Sequence, residues 1–155
     1  MRLWHKDLIP YLPDMQLKGQ WRECVLIADT LAKNGTPNHL LVNRITEYPA
    51  SRFEEYIVRV KREMENRGFM TKSTERISKS FAELVLRAST KQIFYRAAKR
   101  QGLFDGWHNK EYLRVCMANL YEKHFFGIGK SRITDKEWET LCRGYKEITG
   151  EEYHI

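Results

Sequence analysis

The chain opens on Met1-Arg2-Leu3-Trp4-His5, and two dozen residues in, Gln20-Trp21-Arg22-Glu23-Cys24 places a carboxylate directly after an arginine. A terminal amine, guanidinium groups and a carboxylate are the parts of amine-nucleophile chemistry. An α-amine titrates near pH ~8 and a lysine near ~10.4, so at neutral pH the α-amine holds the more usable lone pair. A carboxylate beside it can move protons and stabilise positive charge that develops on a reacting carbon. The pair becomes a site if the fold brings the Met1 amine to Glu23.

Other chemistries find less support in the spacing. Gly129-Lys130-Ser131 ends like a phosphate loop, but His124 stands where the pattern needs its first glycine, and a helix rather than a strand precedes it. A turn is the better reading. His5, His39, His108, His124 and His154 are scattered, with no histidine at i+4 and no cysteine at ligand spacing, so no metal site is expected. Cys24, Cys116 and Cys142 lack a CxxC pair and read as reduced, packed thiols. No glycine pattern frames a serine as a nucleophile.

The 155 residues carry 42% apolar and 30% charged side chains and a net charge of +7. The pI is about 9.4. A basic excess of this size favours polyanionic partners, nucleic acid before membrane, although a merely basic soluble protein shares the composition. No apolar run approaches the ~18 residues that a membrane span needs. The first residues lack the apolar stretch of a signal peptide, so a cytoplasmic protein is expected.

Helical periodicity dominates, and the chain reads as all-α, one domain over residues 1–155. Pro10-Tyr11-Leu12-Pro13 is expected to be extended. A first helix should run from about Asp14, as its cap, to Lys33, with Leu17, Trp21, Cys24, Ala28 and Leu31 inward and Asn34-Gly35 ending it. A short helix carrying Leu40, Leu41 and Ile45 is expected after Pro37. Ser51-Arg52-Phe53-Glu54 has capping-box spacing, followed by the stripe Phe53, Ile57, Val60 and Met64, with Gly68 as the stop. From Ser73 the pattern continues through Ile77, Phe81, Leu84, Val85 and Ala88; a break before Ile93-Phe94 is left open. Gly102 and Gly106 bound a loop with Phe104, Trp107 and His108. Asn109 should cap a helix burying Leu113, Cys116, Met117 and Leu120, and Thr134 to Glu137 a last one burying Trp138, Leu141, Cys142 and Tyr145. Trp21, Phe53, Phe81 and Trp138 sit at core spacing. Trp4, Tyr11, Trp107, Phe125 and Phe126 flank loops or ends, where an aromatic ring can stack on an exposed base, though packing is the commoner role.

Glu23 and Arg22 project about 100° apart around the first helix, so they do not face one another. Gln16, Gly19, Gln20 and Ile27 share the face of Glu23. Gly19 at i−4 leaves open space above the carboxylate, and a glycine inside a helix costs about 1 kcal/mol against alanine. A solvated glutamate beside a helix-packing glycine accounts for the same pattern.

Leu12-Pro13-Asp14-Met15-Gln16-Leu17, then Gln20-Trp21-Arg22-Glu23, with a basic residue just after the chain start, resembles the pyrimidine dimer DNA glycosylases of the phage endonuclease V type and their bacterial relatives. The likeness is best over residues 1–24, continues more faintly from Phe53 through Arg62 to Asn66-Arg67-Gly68-Phe69, and covers about 1–72; residues 73–155 show no motif of that family. The resemblance implies an all-α fold with the N-terminal segment threaded between helices. It implies a glycosylase and abasic-site lyase without a metal or other cofactor, acting on double-stranded DNA with damaged bases or abasic sites. In that chemistry an N-terminal α-amine attacks C1′ of the damaged nucleotide, the base leaves through a Schiff base, and a glutamate assists both this step and strand cleavage.

Carried over by position, Glu23 is that glutamate, and Arg2 and Arg22 match basic residues that hold the DNA. Arg2 is too large to favour removal of Met1, so the nucleophile is expected to be the Met1 amine itself. Leu26 stands where the family carries a further arginine. The alternatives from the residues alone are a non-catalytic basic helical module that binds nucleic acid, and a helical domain whose charge is incidental.

Overall fold

The computed structural model describes residues 2–90, 102–129 and 132–154, with residues 87–90 described by their backbone alone. Met1, the Ala88 side chain, Ile93-Phe94 and Lys130-Ser131 lie outside the described residues. Those residues form five α-helices and two 3-10 helices, with no strand among them. The fold is all-α.

Residues 2–5 are extended and lead into a 3-10 helix over Lys6–Tyr11, so the segment expected to be extended is so only at Leu12 and Pro13. The His5 ring explains the difference: it accepts the N–H of Asp7 at 3.3 Å while the His5 carbonyl accepts from Leu8 at 2.9 Å, which starts the turn before Pro10 is reached.

Helix α1 is Asp14–Asn34 and stops at Gly35, whose φ of 72° only glycine adopts readily. Pro13, not Asp14, occupies the cap position. The Asp14 carboxylate instead takes Arg67 Nη1 at 3.0 Å, and the same guanidinium donates to the carbonyls of Leu12 and Pro10 and to Glu63. Arg67 therefore fastens the N-terminal lead-in to the second helix.

The helix expected after Pro37 is replaced by a 3-10 helix, Asn43–Glu47. The Asn43 side chain accepts the N–H of His39 at 2.9 Å, a local bond that competes with α-helical pairing. Ile45 is buried as expected, whereas Leu40 and Leu41 are exposed.

Helix α2, Ala50–Asn66, begins two residues too early for the Ser51–Glu54 capping box, because Pro49 takes the cap position and its carbonyl accepts from Arg52 at 2.9 Å. Its inward stripe is Phe53, Tyr56, Ile57, Val60 and Met64. Gly68, at φ +75°, ends it, and the Phe69 N–H reaches the Met64 carbonyl at 2.9 Å. Helix α3, Thr74–Thr90, buries Ile77, Phe81 and Leu84, while Val85, expected inward, is exposed. It is tied to α1 through Asp29, which pairs with Arg76 and accepts from Ser80 Oγ at 2.7 Å.

Helix α4, Lys110–Phe125, is capped by Asn109, and α5, Asp135–Thr149, by the complete Thr134–Glu137 box. Leu141 and Tyr145 are buried; Trp138 and Cys142 are only partly so. Tyr11 lies flat where Gly144 has no side chain, and its hydroxyl donates to Glu147, which docks the lead-in on α5. One buried cluster runs without interruption from Leu3 to Tyr145, so side chains of the C-terminal half wall in the N-terminal segment.

Candidate active site

Residues 2–4 have no regular secondary structure, and side chains pair with their backbone. The N–H of Arg2 donates to Glu23 Oε2 at 2.7 Å. Gln20 completes a second pairing from the same helix, accepting the N–H of Trp4 at 2.8 Å and donating to the Arg2 carbonyl at 3.1 Å. The hydroxyl of Tyr112 on α4 donates to the Leu3 carbonyl at 2.5 Å, and that of Tyr56 on α2 to the Trp4 carbonyl at 2.7 Å. Buried main-chain groups must be paired in this way, since each orphan costs about 1–3 kcal/mol. Three helices thus fix the start of the chain against α1, and the carboxylate of Glu23 receives its first described nitrogen.

A cleft of about 230 Å³ opens at this point, lined among others by Arg2, Gly19, Arg22, Glu23 and Lys123. Gly19 keeps it open: a Cβ there would meet nothing within 4 Å. Arg22 is exposed and Glu23 half-buried. Arg2 turns its guanidinium over the Trp4 ring at 5.5 Å, and its Nη1 is buried without a hydrogen-bond partner among the described residues. Glu23, Arg2 and Arg22 therefore share one cleft, while Met1 lies outside the described residues. Lys123, in the last turn of α4, adds a third cation that no local pattern could have joined to Glu23. Leu26 is exposed on α1 and does not line this cleft. Cys24, one residue from Glu23, is fully buried, and that burial pushes its thiol pKa well up, so it is no nucleophile. No group of three or more metal-ligating side chains exists among the described residues.

Behind the strand lies a second arrangement invisible in sequence. His5 and His108, 103 residues apart, stack with centroids 5.3 Å apart. His5 Nε2 lies 2.9 Å from the His108 carbonyl, and the N–H of Lys6 donates to His108 Nδ1 at 2.9 Å. Because Nδ1 accepts, Nε2 carries the proton of the neutral ring; it is buried without a partner among the described residues. Burial holds both imidazoles below the usual histidine range, for His5 against the opposing pull of the His108 carbonyl and Asp7. The unfolded chain takes up these protons near pH ~6.5 and the folded one only at lower pH, so stability is full above pH ~6.5 and falls as the pH drops below it. Melting followed by circular dichroism at pH 7.5 and 5.5 should show Tm lower by several degrees at pH 5.5, with a shallower dependence in His108→Gln.

The loop aromatics separate into two kinds. Trp4 and Trp107 are buried, so neither can stack on an exposed base; Trp107 packs against Phe104, Tyr48 and His108. Phe125 and Phe126 are exposed.

The family comparison agrees with this geometry. Residues 1–76, which supply Glu23, Arg22, Gly19 and the threaded strand, match the model of the family pyrimidine dimer DNA glycosylase. Over residues 1–76, just under half of its length, the chain is similar to the pyrimidine dimer DNA glycosylase family. No curated protein and no solved structure gives a significant match. That match supports a DNA repair glycosylase at family level, a class that acts on DNA. The match stops at the start of α3, so Lys123, Tyr112 and His108 come from residues beyond it. Among the described residues no helix is long and apolar enough to cross a membrane.

Proposed function

We propose that this chain is a DNA glycosylase and abasic-site lyase working through an N-terminal amine. The observation that carries the reading is the 2.7 Å contact between Glu23 and the nitrogen of residue 2. In this reading the nucleophile is the Met1 amine, one residue before that nitrogen in the sequence.

In the proposed reaction the amine forms a bond to C1′ of the damaged nucleotide as the C1′–base bond breaks. The base leaves with a proton, and sugar-ring opening gives a protonated Schiff base. Removal of a C2′ proton then expels the 3′ phosphate by β-elimination. Glu23 stabilises the positive charge at C1′ and carries protons. Arg2, Arg22 and Lys123 surround it with positive charge, which favours the unprotonated amine and holds phosphates. The substrate is double-stranded DNA carrying damaged bases or abasic sites. Residues 1–155 act as one domain in this reading, because Tyr112 of α4 and the His108 loop help to hold the strand.

Borohydride trapping on a duplex with an abasic site tests it. Protein with a free N-terminus should form a covalent adduct, and N-terminally acetylated protein should not. Absence of an adduct, with salt-dependent binding intact, would leave a non-catalytic DNA-binding module.

A further inference from the structure

Helix α4 ends in a turn whose apolar side chains point outward. Phe125 is 64% exposed, Phe126 71% and Ile128 87%. Contiguous apolar exposure of this kind usually marks a contact surface. Phe126 follows Lys123 by three residues, one turn along the same helix face, and Lys123 lines the Glu23 cleft.

Several contacts pin the stem of this turn. Gly127 has room for no side chain, since a Cβ there would overlap the Lys123 carbonyl oxygen. That oxygen accepts the N–H of Ile133 at 3.2 Å, and His124 Nδ1 lies 3.0 Å from the Ile133 carbonyl. The His124 ring stacks on Trp138 at 5.5 Å and 9°. Phe125 rests on Tyr121 at 5.8 Å, and Phe126 meets Phe125 edge-on at 4.8 Å. The tip thus presents exposed apolar side chains next to a hydrogen-bonded and stacked base.

We propose that Phe126 and Ile128 form a wedge that enters the DNA stack beside the damaged nucleotide while that nucleotide occupies the Glu23 cleft. The proposal rests on the DNA-repair reading above. The cations of the adjoining cleft select a polyanion as the occupant, and apolar wedges of Phe and Ile type insert between base steps that are easily unstacked. A damaged or abasic site costs least to open, so the wedge gives selectivity for damage as well as grip.

The test compares wild type with Phe126→Ala/Ile128→Ala, whose exposed positions leave the core untouched. Binding is read by anisotropy on a duplex with a tetrahydrofuran abasic analogue and on the same duplex undamaged, with 2-aminopurine beside the lesion reporting unstacking. The variant should bind the tetrahydrofuran duplex about tenfold more weakly, bind the undamaged duplex nearly as wild type does, and lose the 2-aminopurine signal. Equal weakening on both duplexes, unchanged binding and signal, or loss of a self-associated species in sedimentation would overturn the wedge. Wild-type borohydride trapping is scored separately, so failure of the lyase chemistry and failure of the wedge are told apart. An unchanged melting temperature confirms that the variant is folded.

Discussion

Glu23→Gln should lose strand cleavage by a factor of about 10²–10⁴ while keeping the fold. The amide has the shape of the carboxylate, and its oxygen can still accept the N–H of Arg2 that Glu23 accepts at 2.7 Å. What disappears is the negative charge that, in the proposed reaction, stabilises a cationic sugar and receives a proton. Schiff-base trapping on an abasic duplex should survive better than cleavage, because formation of the imine at an already abasic carbon needs less of the glutamate than elimination does. Gel analysis of trapped and nicked products in one reaction measures both. Equal activity in the variant and the wild type would remove Glu23 from the mechanism.

Gln20→Leu should cost about 2–4 kcal/mol of stability and, with it, the nucleophile's position. Gln20 is 1% exposed and serves two main-chain groups of the threaded strand. Leucine fills the space but leaves the Trp4 N–H and the Arg2 carbonyl buried and unpaired. The Tm should fall by about 5–15 °C for a chain of this size. The yield of trapped adduct should also fall at temperatures where the variant is still folded, since residue 2 is then held by Glu23 alone. A variant that melts early but traps at the wild-type rate would make Gln20 a matter of stability only.

Sequence reasoning succeeded where the determining interactions are local. The ends of α1 and α2 follow from Gly35 and Gly68, both at positive φ, and the starts of α4 and α5 from Asn109 and Thr134, whose side chains cap within three residues. The open space above Glu23 was legible in Gly19. It failed where a nearby group competed for the same bond: Pro49 displaced Ser51 as the cap of α2, and Asn43 drew off the N–H of His39. It could not reach contacts made across the chain. Lys123 comes to Glu23, Tyr112 to Leu3 and His108 to His5 from about a hundred positions away, and no periodicity encodes such meetings. The burial of Trp4 and Trp107 belongs to the same class, because a ring near a loop is walled in only by what folds over it.

The side-chain pairing of residues 2–4 also sets an order of events during synthesis. A strand that docks on helices cannot find its place until those helices exist, and non-local pairings form late. Tyr56 emerges from the ribosome early, but His108 and Tyr112 are made long after Arg2 has left the tunnel. Residues 2–4 therefore wait, apolar Leu3 and Trp4 uncovered, for α4 to close over them. In the proposed reading, competence to react with DNA should then arise in one late step, when the second half of the chain has folded and the Arg2 N–H is delivered to Glu23.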